Sequence, residues 1–196
     1  MNDQDINIPS AVEQILSETD DIGFQMTSEL SVGALLQTLA ASKPAGYFLE
    51  LGTGTGIATA WLASGMDAQS KLVTVENDSA VVAIAQKYLG DNPHISFHVE
   101  DAVASLENIE KTGQQFDLIF ADTWTGKYNH LDRVLNLLKP GGLYIIDDML
   151  PQENWPDGHE AKVSELIQTL EGNRGLLLTK LNWASGIIIA VKQALQ

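Results

Sequence analysis

At 196 residues, 44% hydrophobic and 19% charged, the chain is long enough for one well-cored α/β domain and too short for two, and no apolar run approaches a membrane span. Eleven basic against 26 acidic residues leave a net charge of −15, which works against nucleic acid, since phosphate binding runs on clustered Lys and Arg, and favours a small-molecule partner. The absence of cysteine excludes disulfides, thiolate chemistry and zinc–cysteine sites, and the acidic start without an apolar core leads us to expect a cytoplasmic protein with no membrane partner.

Residues 1–9 read as a flexible arm, 10–45 as a pair of helices and 46–192 as a Rossmann-like core, all within a single domain 1–196. Ser10 is expected to cap the first helix, with Glu13 completing a capping box and Val12, Ile15 and Leu16 forming the apolar stripe. A second helix is expected over 29–41, ending near Pro44 and Gly46. Tyr47 to Leu51 is short, apolar and bounded by turn residues, which suits a strand buried on both faces. Gly52, Gly54 and Gly56 follow. Without Cβ atoms they let the backbone turn with positive φ and let a ligand lie against it, and Ile57 opens a helix whose free N–H groups face the same place.

Beyond this loop, strands and helices alternate: strand 71–76, helix 79–89 closed by Gly90, strand 95–99, a helix to about Lys111, strand 116–122, helix 127–138 stopped by Lys139-Pro140-Gly141-Gly142, and strand 143–147. A helix near 161–170 precedes two strands, 176–180 and 186–191, joined by Asn182-Trp183-Ala184-Ser185 as a hairpin. The pattern predicts an α/β fold. Its Rossmann-like, doubly wound, seven-stranded sheet is parallel except for an antiparallel last strand, with helices on both faces.

In open α/β sheets ligands bind beyond the carboxyl ends of the strands, and nearly every strand here ends in an acid. The glycine pattern suits a nucleotide, but it is G-x-G-x-G: the third glycine of the dinucleotide fingerprint would fall at 57, which is isoleucine. Glu50 just before the loop suits an ammonium or sulfonium better than a pyrophosphate, which favours S-adenosylmethionine over NAD. Glu76 stands about 20 residues past the loop, where an acid accepts from ribose hydroxyls. Asp101-Ala102 reads either as an adenine contact or as the N-cap of the next helix. Asp122, Asp147 and Asp148 end two neighbouring strands, and such carboxylates suit Mg²⁺, Mn²⁺ or Ca²⁺. The competing reading is that Asp122 binds the donor and Asp147-Asp148 caps a turn. Phe24, Trp124, Tyr128 and Trp155 are candidates for an aromatic wall, and His159 reads as a surface residue in a covering loop.

From about Met26 to Lys192 the chain resembles the class I S-adenosylmethionine-dependent methyltransferases, and within them the catechol and caffeoyl-CoA type of metal-dependent O-methyltransferase. The residues that carry the resemblance are Glu50-Leu51-Gly52-Thr53-Gly54-Thr55-Gly56, Val75-Glu76, Asp101-Ala102, Phe116 to Asp122, Leu138-Lys139-Pro140-Gly141-Gly142 and Ile146-Asp147-Asp148. The resemblance implies that Met26 and Gly33 border the cofactor and that Glu50 with Gly52, Thr53, Gly54 and Gly56 holds its methionine part. It further implies that Glu76 binds the ribose and Asp101 with Ala102 the adenine side, with Asn77, Asp122 and Trp124 also counted among the cofactor-binding residues. Asp122, Asp147 and Asp148 would hold Mg²⁺, which would acidify one of two adjacent acceptor hydroxyls.

The family generally has a lysine three positions after the first metal aspartate, as the base. Here that position is Thr125, so either Lys127 reaches in beside Asp122 as the catalytic group, the metal alone acidifies the acceptor, or the reaction differs. The expected activity is metal-assisted O-methylation of a small catechol-like or phenolic molecule by a protein whose amphipathic first helix and resemblance point to a homodimer. The alternatives are a metal-independent methyltransferase on another atom, a non-catalytic S-adenosylmethionine-binding protein and an NAD-dependent oxidoreductase.

Overall fold

The computed structural model describes residues 5–152 and 155–194. Two helices, α1 (Ser10–Asp21) and α2 (Leu30–Ala41), precede β1 (Tyr47–Leu51), α3 (Ile57–Gly65), β2 (Lys71–Glu76), α4 (Ser79–Leu89), β3 (Ile95–Val99), α5 (Ala102–Thr112) and β4 (Phe116–Ala121). The second half runs α6 (Trp124–Lys127), α7 (Leu131–Asn136), β5 (Leu138–Ile146), α8 (His159–Gly172), β6 (Leu176–Leu181) and β7 (Ile187–Lys192). The strands form one seven-stranded sheet in the order β3-β2-β1-β4-β5-β7-β6. All neighbours are parallel except β7, which runs antiparallel to both β5 and β6. The expected α/β architecture is therefore the observed one.

Alternation along β1 explains the layering. Leu49 and Leu51 face a core built with Leu106 of α5, Val134 of α7 and Leu166 of α8, while Phe48 faces the other core, built with Ile15, Leu36 and Trp61 of α1, α2 and α3. Because β1 lies between β2 and β4, the chain switches direction there, and the crevice at the carboxyl ends of β1 and β4 is the place where such a sheet can take a ligand.

Three local expectations are corrected. Pro9, not Ser10, is the N-cap of α1, and no side chain caps this helix: the Pro9 carbonyl accepts from Val12 N and Glu13 N, and a proline at φ −61° loses nothing there. Of the helix expected over 127–138 only α7, 131–136, forms: the chain leaves the short α6 at Lys127, and His130 at φ 56° separates the two. Lys139 to Gly142 does not precede β5 but belongs to it, with a shift of register opposite Phe116 and Leu118.

Residues 1–4 of the expected arm lie outside the described residues. Ile6 and Ile8 pack against the core on the α1–α4 side. No helix among the described residues is long and apolar enough to cross a membrane.

Candidate active site

The glycine loop is shaped by what it must pass. A Cβ on Gly52 (φ 101°) would lie 2.8 Å from the Asp122 carbonyl oxygen, and one on Gly56 (φ 97°) would lie 2.5 Å from Ala85 Cβ of α4, so two of the three glycines serve close approach within the protein. A Cβ on Gly54 (φ 53°) would lie in ordinary contact with the Phe24 ring, 3.5 Å away. The Gly54 N–H donates to Glu76 Oε2 at 2.9 Å, while Glu76 Oε1 accepts from Asn77 N at 2.9 Å and Asp78 N at 3.1 Å. Glu76 thus clamps the loop from the tip of β2. A cavity of about 250 Å³ lies over this arrangement, bordered by Gly52, Thr53, Gly54, Glu76 and the rings and chains of Phe24 and Met26.

Glu50 does not border that cavity. Its side chain turns under α3, is 0% exposed, and accepts from the Thr59 and Thr74 hydroxyls at 2.5 Å each. The Thr53 hydroxyl lies 2.5 Å from that of Thr74, so a hydrogen-bonded chain links the loop to Glu50. Burial, only partly offset by the two threonines, pushes the Glu50 carboxyl up to about 8, and its Oε1 has no partner among the described residues.

Gly33 is also set apart from the cavity: it faces the buried Trp61 indole, where a Cβ would overlap the ring, so its part is to let α2 and α3 pack closely. Asn77, Asp101 and Ala102 do not border the cavity either. Asp101 caps α5, accepting from Val103 N at 2.9 Å and Ala104 N at 3.3 Å.

A second cavity of about 290 Å³ adjoins the first. The two share Met26, Thr27 and Ser28 from the loop before α2 and Asp122, Thr123 and Trp124 at the end of β4. Into the second face Asp122, Lys127, Asp147 and Asp148. The break at Thr125 and Gly126 turns Lys127 inward: it is 5% exposed and its Nζ lies 3.1 Å from Asp122 Oδ1. Burial alone would lower the Lys127 pKa, but Asp122, then Asp148 and Asp147, outweigh it and hold the ammonium above the usual lysine value. Burial and the neighbouring Asp122 and Asp148 charges push Asp147 up to about 7, and burial with Asp122 raises Asp148 as well. Asp147 Oδ1 accepts from Asp148 N at 2.7 Å and from the Ser185 hydroxyl, and Asp148 takes a left-handed φ of 60° at this turn.

His159 corrects the surface expectation. It is 7% exposed, its Nε2 lies 3.0 Å from the Tyr128 hydroxyl, and its ring sits 4.6 Å from Trp155 and 5.9 Å from Trp124. Burial, then Lys127 and Lys162, lower its pKa, so it is a neutral member of an aromatic wall. Trp124 stays 48% exposed at the junction of the cavities.

A divalent ion was expected at the aspartates, and the folded donor set does not fit one. Among the described residues no three acidic or histidine side chains converge as a hard cation requires, and an ammonium already stands among them.

Two polar residues of the site carry no signal in the sequence. Ser28 donates to Asp122 Oδ2 at 3.3 Å across 94 positions, and Ser185 reaches Asp147 across 38, from the turn between β6 and β7. Ser28 lies in no recognisable pattern, and the hairpin pattern around Ser185 does not foretell its contact with Asp147.

A catechol O-methyltransferase of Niastella koreensis is 32% identical to this chain over 147 residues, which cover 70% of the chain and 66% of that protein, just under two thirds of its length. Two solved structures share the fold. The O-methyltransferase from Bacillus cereus in complex with SAH matches at 24% identity and a TM-score of 0.85, over 97% of this chain and 94% of that one. The O-methyltransferase TomG from Streptomyces achromogenes, in complex with SAM, matches at 21% and 0.84, over 97% and 93%. The profile of the O-methyltransferase family covers residues 7–188, and with nearly the whole chain so matched, this protein belongs to the O-methyltransferase family.

Proposed function

We propose that the protein transfers a methyl group from S-adenosylmethionine to an oxygen of a small hydroxylated molecule, catechol-like or phenolic. The observation that carries this reading is the meeting of the two cavities at Asp122, Thr123 and Trp124. A donor lying along the glycine loop and an acceptor beside Lys127 would meet end to end there, and orienting two reacting groups for in-line displacement supplies much of the rate.

S-adenosylmethionine, when bound, supplies an electrophilic methyl on a cationic sulfonium. The crevice suits it: Gly54 gives backbone room, and Glu76, which accepts three N–H bonds, keeps one lone-pair direction on Oε2 for a ribose hydroxyl. Trp124, Tyr128 and Trp155 offer flat surfaces to a planar acceptor.

The acceptor hydroxyl must lose its proton as its oxygen takes the methyl group. Lys127 is an ammonium at neutral pH, so it acts as a hydrogen-bond donor to the developing oxyanion and not as the base. We assign the proton to Asp148, which borders the same cavity and whose carboxyl is raised by burial and Asp122. Asp122 holds Lys127 in position and, with Ser28, fixes the wall between donor and acceptor.

Calorimetric titration with S-adenosylhomocysteine, then a screen of catechols, flavonoids and hydroxybenzoates for the mass gain of one methyl, tests the proposal. Uptake of NADH by a protein that ignores both S-adenosylmethionine and S-adenosylhomocysteine would overturn it.

A further inference from the structure

A buried cation and three carboxylates share the acceptor cavity, and the segment that delivers the cation is pinned. Gly126 donates its N–H to the Asn129 carbonyl at 2.8 Å, and its own carbonyl accepts from the fully buried Tyr144 hydroxyl of β5. Thr125 (ψ 123°) and Gly126 (φ 96°) depart from helical geometry between these anchors, which is what lets Lys127 point inward instead of into solvent. Its Nζ then lies 3.1 Å from Asp122 Oδ1 with the side chain 5% exposed. Asp147 Oδ1 is already engaged by the Asp148 amide and the Ser185 hydroxyl.

A Mg²⁺ ion needs a near-octahedral set of oxygens at about 2.1 Å. In this crevice it would compete with an ammonium already bound to the first of its carboxylates, and two cations so close in a poorly screened site repel strongly. We propose that Lys127 is the resident cation of this site: its ammonium stands where a divalent ion would and donates directly to the acceptor oxygen, so that methyl transfer here does not depend on metal. The inference rests on the acceptor-cavity reading above. In the transfer, the acceptor oxygen bonds to the methyl carbon as the carbon–sulfur bond breaks and its electron pair returns to sulfur, leaving a neutral thioether. The hydroxyl proton leaves along the polar cavity wall to solvent, and the Lys127 ammonium stays paired with Asp122.

The test uses a readout that needs neither donor nor acceptor. Chelator-treated native protein is titrated with Mn²⁺, and the free ion is followed by its electron paramagnetic resonance signal. The native protein should leave Mn²⁺ free up to roughly millimolar concentrations. Lys127→Met, which strips the ammonium from the carboxylates, should bind it at least about tenfold more tightly. Lys127→Arg, which keeps the charge, should bind it no better than the native protein. Native protein that takes up Mn²⁺ well below millimolar concentration overturns the proposal, and because that titration needs no variant it decides the matter even where a variant does not fold.

In parallel, transfer to catechol in EDTA should run within about twofold of the rate with added Mg²⁺. A rate that collapses in EDTA and returns with Mg²⁺ also overturns the proposal. If S-adenosylhomocysteine binds but no acceptor is methylated, the transfer reading is what fails, and the Mn²⁺ titration still decides the cation.

Discussion

Replacing Glu50 by glutamine should stabilise the protein, and by an amount that grows with pH. Glu50 is fully buried, and its pKa rises from the ordinary 4.5 to about 8. The folded form therefore keeps a proton that the unfolded chain releases. The contribution of this group is fully present below about 4.5 and is lost as pH climbs through about 8, so stability falls with rising pH across that window. Each unit is worth about 1.4 kcal/mol, and neutral pH lies about 2.5 units above the unfolded value, so the cost at pH 7 is roughly 3 kcal/mol.

Glutamine carries no charge at any pH, its carbonyl can accept from Thr59 and Thr74 as Glu50 does, and its volume is the same. Urea unfolding of both proteins from pH 5 to 8.5 without ligand measures the difference, in which every other titrating group cancels. Near pH 5 the two should differ by less than about 1 kcal/mol, and at pH 7.5 Glu50→Gln should be ahead by roughly 4 kcal/mol in unfolding free energy, read as a higher urea midpoint. Curves that stay parallel across the range, or a variant less stable at pH 7.5, would refute the argument.

Asp122→Asn should lower kcat/KM by about 100-fold or more, since it frees Lys127 from its partner and alters the wall shared by both cavities; steady-state kinetics with undiminished turnover would remove Asp122 from the mechanism. Gly33→Ala should cost about 1–3 kcal/mol in thermal unfolding, because the new methyl overlaps the fully buried Trp61 ring, while S-adenosylhomocysteine binding at low temperature is retained. An unchanged Tm would mean that α2 and α3 separate freely. Trp124→Ala should raise KM by roughly tenfold with little change in Tm, because the ring is half exposed at the cavity junction.

The sheet was legible because its signals are local. Short apolar runs ending in acids, alternating with helical periods and broken by glycines, define β1 to β5, and the hairpin turn before Gly186 marks the reversal. What escaped was set by contacts far apart in sequence. Glu50 sits at the strand tip where a ligand contact was expected, but the two-residue alternation of β1 turns it to the α3 side, a direction that depends on which helix covers which face. Gly33 was expected beside the cofactor, yet only the packing of α2 on α3 reveals that it meets Trp61. Lys127 could not be told from a solvated helix-start charge without the left-handed turn at Gly126, and His159 could not be told from a loop residue without the rings gathered around it.

The turn between β6 and β7 does more than end the sheet. Ser185 and Gly186 carbonyls accept from Leu150 N and Met149 N, so this turn is fastened to the chain just past the β5 tip, and Ser185 reaches on to Asp147. The glycine-loop cavity is thus furnished by residues up to 76 together with the β4 tip, whereas its neighbour draws mainly on residues from 122 to 185. On the function proposed above, such a division makes the molecule modular: exchanging residues 155–159 and the 182–186 turn should retune acceptor choice while the donor grip stays as it is.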